Sequence, residues 1–445
     1  MSPSHRRSRK RTTGAPPWQP ALAPHDLAGE KGPGSGSHIR VLRSSVLLAS
    51  RLVWPIAAPD GMIRSMWRRE PFRLFFPLGV ALAWVGIGHW IAYWAGWIGA
   101  YSCLAHGLVQ IQGFLFAFAL GFLLTAMPRR TESPPPPAWG LAAAVAALVT
   151  TTAGAFAERW WMAEGASIAV VLGMVVFAVR RFAGARAGRR PPAPFVLIPI
   201  ALACNVVGGV LVAWGTSRNG AAWGVGIGRL LVEQGLFLCL VMGAGALVLP
   251  LMAGAAPPAD IGSSPAVTRQ AVAYAAAGVA VVATLVAEAR GSARVAPIVR
   301  GVIVAVTLAI GAGARRGPLQ PGWNRRVAWL AVWLVPAGIV LSGLVPDYRV
   351  PALHVTFVGG FGLLAFAVAT HVTAAHLDLV ALRDGRSPLV AVIAVASLVA
   401  LMGRVTADAT QTYFEHLAAA AAVWIAGSAV WLVTLAPRWF RRRPG

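Results

Sequence analysis

Three of the chain's nine histidines, His354, His371 and His376, fall in one almost wholly apolar stretch, Pro351 to Asp378. A ligand-capable side chain inside a membrane-length apolar segment is costly to insert, so it marks a functional site by default. Neutral imidazole suits iron, copper and zinc, and a pair of imidazoles holds a b-type haem. Metal or haem binding is therefore the chemistry these residues point to. His354 and His371 are 17 residues apart in sequence, about 25 Å along a helix. If both are ligands, there are two sites. His371 and His376 sit on different helix faces, so each needs partners from other helices.

Other residues are less specific. Glu233 and Gln234 interrupt a second apolar run. Glu233 reads either as a proton- or cation-handling carboxylate or as the partner of Arg229, one helical turn earlier. Gln110 stands at i+4 from His106 and shares its face, with Gln112 on a different side. Glu164, Glu288, Asp408 and Glu415 read as interfacial. Cys103, Cys204 and Cys239 are well separated, with no CxxC, which argues against a disulfide framework. No Ser-His-Asp set, paired catalytic carboxylates or HExxH motif is present, and the sequence assigns no catalytic residue. GGFG (359–362) and GAGAL (243–247) read as close-packing positions between helices, not as a phosphate loop.

The elements that must position these residues are membrane helices. The chain is 57% hydrophobic and 12% charged, with a mean hydropathy of +0.66. Soluble domains carry roughly a quarter charged residues, so this composition describes an all-α, polytopic membrane protein. Residues 1–60, rich in Pro, Gly, Ser and Arg, read as a disordered basic tail. Within it Val41 to Ile56 form a candidate surface-lying helix, and Met62 is an alternative first residue. Residues 61–440 read as one transmembrane helical domain and 441–445 as a second basic tail. No cleavable signal is visible.

Apolar runs of bilayer-spanning length recur at 74–98, 104–127, 138–156, 160–179, 195–214, 229–252, 267–287, 295–313, 326–345, 351–377, 388–403 and 413–436. That makes about twelve spans, of which the eleventh is short and the third and fourth could form one re-entrant pair. The net charge of +24 comes from arginines in alternate connections and in both tails. That is the positive-inside pattern of a multi-pass membrane protein with both termini cytoplasmic, and it argues against nucleic acid as a partner. Trp94, Trp97, Trp160, Trp161, Trp214 and Trp223 fall near span ends, as an interfacial belt does.

This topology places His89, His106, His354 and His416 towards the outer face on four different spans, and His371 and His376 towards the inner face. Bundle cores build cofactor sites from such inward-facing side chains. The competing reading of each histidine is a span-end residue that reaches the headgroups or bonds a neighbouring helix. His5, His25 and His38 belong to the tail.

REPFRLFFPLGV (69–80), His106 with GFLLTAMP (121–128), and ALHVTFVGGFGLLAFAVATHVTAAH (352–376) resemble the NnrS family of bacterial inner-membrane proteins associated with the response to nitric oxide. EQGLFLCLVMGAGALVLPLMAG (233–254) is a weaker match. The resemblance implies haem b and copper as cofactors, nitric oxide or a related small ligand as a partner, an electron donor of unknown identity, and protection against nitrosative stress. His106, His354 and His376 fall on family histidines. Leu108 and Val109 stand where the family has its second His and a Glu. Arg129, Arg130 and Thr131 replace its Trp-Thr-Gly, and His371 replaces an Arg. The chain is thus a divergent member, in which altered or lost metal loading is an open alternative.

The candidate cofactor ligands are His106, His354, His371 and His376. The candidate metal ligands are His106, His354, His376, His89 and His416. The leading function is redox or ligand-binding chemistry at a His-ligated metal. The alternatives are a twelve-helix secondary transporter without a cofactor, although no repeat is visible between the two halves, and an assembly factor.

Overall fold

The computed structural model describes residues 66–183 and 190–440. The expected tails, the surface helix at 41–56 and the alternative start at Met62 lie outside the described residues. Twelve apolar helices run through the described residues: α1 (Phe72–Trp94), α2 (Cys103–Thr131), α3 (Ala138–Phe156), α4 (Trp160–Phe182), α5 (Ala193–Gly215), α6 (Ala222–Gly243, continued by Gly245–Ala253), α7 (Pro265–Ala289), α8 (Val295–Gly311), α9 (Trp323–Leu344), α10 (Pro346–Leu377), α11 (Pro388–Ala407) and α12 (Tyr413–Trp439). Among the described residues there is no strand, only an isolated bridge between Pro192 and Asp260. Eleven helices are long and apolar enough to cross a membrane, and α8, with 17 residues, is shorter.

The expected third and fourth spans are two separate full-length helices of 19 and 23 residues, and the eleventh has 20 residues rather than a short run. Local signals set several boundaries. Ser102 caps α2 by accepting from the Ala105 amide, and Ser264 caps α7 ahead of Pro265 at the first helical position. Trp94, Trp97, Trp161, Trp214 and Trp223 are exposed at span ends, as expected of an interfacial belt.

Consecutive helices pack on one another and α12 returns to α1, which closes a ring. Three helices are drawn into the middle. In α2, α6 and α10, 78%, 78% and 67% of the apolar stretch is buried, against 28–56% in the other eight full-length spans. The same three helices carry wide π-helical segments, Val109–Leu115, Leu231–Leu236 and Val355–Gly362. Such segments are rare and concentrate at functional sites.

These features recur at a constant interval. The π segments begin 122 and 124 residues apart (231 − 109 and 355 − 231). The left-handed residues that end the three helices, Glu132, Gly254 and Asp378, are also 122 and 124 apart (254 − 132 and 378 − 254). Gln112-Gly113, Gly121 and Pro128 of α2 match Gln234-Gly235, Gly243 and Pro250 of α6 without a gap. The repeat therefore relates thirds of the helical domain, four helices each, which is why none is visible between halves. A glycine is the fifth residue of each π segment, and each admits a close neighbour. A Cβ on Gly235 would lie 2.9 Å from Cys204 Sγ, and one on Gly359 would lie 3.0 Å from Leu334 Cδ1.

Candidate functional site

The N-terminal halves of α2, α6 and α10, with α1, α11 and α12, enclose a cavity of about 200 Å³. His106 and His354 both line it, together with Trp90, Phe114, Phe357 and Trp424. Each of these two histidines lies just before a π segment of its helix. Their rings are nearly parallel, 12° apart, with centroids separated by 6.5 Å. His106 Nδ1 is 2.9 Å from the Gly86 carbonyl oxygen, and His354 Nδ1 is 2.8 Å from that of Val350. A carbonyl can only accept, so these shorter contacts favour the neutral tautomer with the proton on Nδ1 and the lone pair on Nε2. The indole of Trp90 approaches His106 Nδ1 at the longer distance of 3.3 Å. This is the tautomer of a ligating histidine, oriented by a backbone carbonyl behind it.

His89 lies beside this pair, its ring centroid 5.6 Å from that of His106. It shares the same acceptor, with Nδ1 2.9 Å from Gly86 O, and its buried Nε2 has no hydrogen-bond partner. The structure thus brings together three of the four histidines expected in one layer. His416 is apart: it does not line the cavity, and its Nδ1 lies within 3.0–3.3 Å of Thr410 and Thr412 oxygens. His371 and His376, on the C-terminal half of α10, belong to the opposite end of the bundle. His371 is half-buried with Nδ1 unpartnered. His376 Nδ1 donates to the Val372 carbonyl at 2.7 Å, and its Nε2 bonds the Arg129 guanidinium. Arg129 also reaches Glu70 at 3.2 Å, and Phe72 packs on the His376 ring. Its second nitrogen is therefore engaged by a cation, unlike those of His106 and His354.

No group of three or more His, Cys, Asp or Glu side chains able to hold a metal ion occurs among the described residues. A group that could be held by two imidazoles suits this donor set better than an ion that needs three side-chain ligands.

Charged groups rim the cavity. Arg229 Nε meets Glu233 Oε1 at 2.6 Å, so the ion-pair reading of Glu233 is the one found. Arg404 pairs with Asp408, and its guanidinium lies 5.7 Å from the Tyr413 ring centroid. Arg349 meets Glu288 at 2.5 Å. Gln110 lines the cavity with His106, as its spacing predicts, and Gln112 does not.

A family model described as "NnrS protein" matches residues 66–443. The chain belongs to the NnrS family. The match covers all twelve helices, so it includes both the cavity and the His376 cluster. No curated protein matches the sequence.

Sequence reasoning missed three things. The expected interfacial Glu164 and Glu288 are buried, at 1% and 8% exposure. The π segments left only a faint mark, the glycines. Arg349 and Arg404 carried no motif, because their role follows from helix adjacency alone.

Proposed function

We propose that this NnrS-family protein is a bacterial inner-membrane protein of the nitric oxide response whose cavity holds a b-type haem between His106 and His354. The observation that carries the reading is the pair of near-parallel imidazoles, 6.5 Å apart, each with Nδ1 against a backbone carbonyl. The haem supplies redox and small-ligand chemistry. His106 and His354 would hold the group through Nε2, and Trp90, Phe114, Phe357 and Trp424 would line it. Arg229, Arg349 and Arg404 line the same cavity and would offset anionic groups of the bound cofactor. His89, whose Nε2 is unpartnered, is placed to take a proton or hydrogen bond beside the site. His89, with its unpartnered Nε2, would be the imidazole left to hold a copper ion. Both termini lie in the cytoplasm, and nitric oxide or a related small ligand reaches the site from the membrane.

The secondary-transporter alternative loses ground to the repeat. Many transporters are built from two related halves with a site at their interface, whereas here three four-helix units contribute one inner helix each.

A reduced-minus-oxidised visible spectrum of the purified protein, with haem and metal content on the same sample, tests the reading. A bis-imidazole b-type spectrum is expected, lost in both His106→Ala and His354→Ala and retained in His416→Ala. A colourless protein from haem-replete cells overturns it.

A further inference from the structure

Three carboxylates are buried among the described residues, Glu164, Glu233 and Glu288. Two of them face guanidinium groups: Glu233 meets Arg229, and Glu288 meets Arg300 and Arg349. Glu164, on α4 and 1% exposed, has no such partner among the described residues. Its Oε2 accepts one hydrogen bond, from Gln112 Nε2 at 2.8 Å, and its Oε1 has no partner. The surroundings are built from neutral polar groups of three helices. Gln112 Nε2 also reaches Asn205 Oδ1 on α5 at 3.1 Å, and Asn205 Nδ2 donates to Ser167 Oγ at 3.0 Å. Gln112, Asn205 and Ser167 are 2%, 1% and 3% exposed. Gly209 on α5 makes the room, since a Cβ there would lie 2.5 Å from Glu164 Oε2.

An ionised carboxylate offers about four acceptor positions, and this one receives a single hydrogen bond. Uncompensated charge away from water is strongly disfavoured, and such a group takes up a proton or a counter-ion instead. A metal cation suits the cluster poorly, because the amide hydrogens of Gln112, not its oxygen, face the carboxylate. A proton suits it well. Placed on Oε1, it removes the charge, and the unpartnered Gln112 Oε1 is an acceptor in the same cluster for the new O–H.

We infer that Glu164 is an intramembrane proton-binding site, holding its proton at neutral pH among Gln112, Asn205 and Ser167. The π segment of α2 separates it from the histidine cavity: Gln110, Ile111 and Phe114 face the cavity, while Gln112 faces α4 and α5. The protein therefore keeps a proton one helix away from the candidate cofactor. The site does not depend on what that cavity holds.

Infrared spectra of the full-length protein in H₂O and D₂O at neutral pH test the inference. The expected result is a protonated-carboxyl C=O band that shifts in D₂O and is lost in Glu164→Gln, a variant that imitates the neutral acid. Absence of the band from the wild type, or its persistence in Glu164→Gln, overturns the inference. If Glu164→Gln does not fold, Gln112→Met decides. Removing the Gln112 N–H donor to Oε2 shifts the band if Glu164 is its source, and an unmoved band refutes the assignment.

Discussion

Replacing Glu288 with Gln should be among the most damaging single-atom changes in this protein. Glu288 sits at the end of α7, with Oε2 2.5 Å from Arg300 of α8 and Oε1 2.5 Å from Arg349 of α10. The Arg300 side chain is 0% exposed, and its Nε and Nη1 have no hydrogen-bond partner. Among the described residues the carboxylate is thus the one group that offsets a fully buried guanidinium. Removing one partner of a buried pair costs about 3–5 kcal/mol, because the other charge is left uncompensated. Arg349 is 31% exposed on its side chain, keeps part of its hydration, and adds no more than about 1 kcal/mol. The sum is about 3–5 kcal/mol, almost all of it from Arg300. The double replacement Glu288→Leu with Arg300→Leu removes both charges and should recover most of the loss. Tryptophan-fluorescence unfolding of the detergent-solubilised variants, read as midpoints and unfolding rates, measures both. A folded Glu288→Gln within about 1 kcal/mol of wild type, or a double variant no better than the single one, would refute the argument.

Three further outcomes follow from packing and charge. Gly338→Ala would drive a Cβ to 2.5 Å from the Thr356 amide nitrogen and 2.7 Å from the Ala352 carbonyl oxygen; backbone cannot yield, so a loss of about 1–3 kcal/mol is expected, visible as a lower unfolding midpoint. Trp431→Phe removes the 2.8 Å bond from its indole to Thr370 Oγ1 between two buried residues, and should cost about 1–3 kcal/mol in the same assay. Asp384, in the connection after α10, is subject to burial that would raise its carboxyl, but hydrogen bonds and charge from Arg383 and Arg325 hold it below the usual range. A lowered folded value means stability that is present above the ordinary carboxylate range and lost as pH falls through the folded value. Asp384→Asn should therefore be less stable than wild type at neutral pH, with the difference closing in acid; a gap that persists at low pH would show that the charge is not its source.

Much of the fold was legible because membrane insertion leaves a long, simple signal. Twenty apolar residues between arginine-bearing loops read as a helix whatever their neighbours, and all twelve expected runs correspond to helices. His106 and His354 were legible as candidates for the same reason, since a polar group stands out in an apolar run. Their pairing was not, because it depends on α2 and α10 lying side by side with more than two hundred residues between them. Spacing along a helix correctly placed Gln110 with His106, and left Glu233 between two readings that only the Arg229 rotamer separates. Glu164 was misplaced at the interface because it lies near the start of its span. Neighbouring helices bury it, and sequence depth alone does not record them. The π segments change hydrogen bonding without changing composition, so their glycines read as ordinary packing positions.

The return of α12 to α1 has a consequence for how the protein is made. Chains emerge and fold from the N-terminus, yet Tyr413, Leu417 and Trp424, which line the cavity, belong to the last helix. Until α12 has left the ribosome and docked, the pocket lacks a wall, and the cavity face of α2, with His106 and Gln110, is open on that side. His106 and His354 therefore come to face one closed cavity only after the last helix is in place.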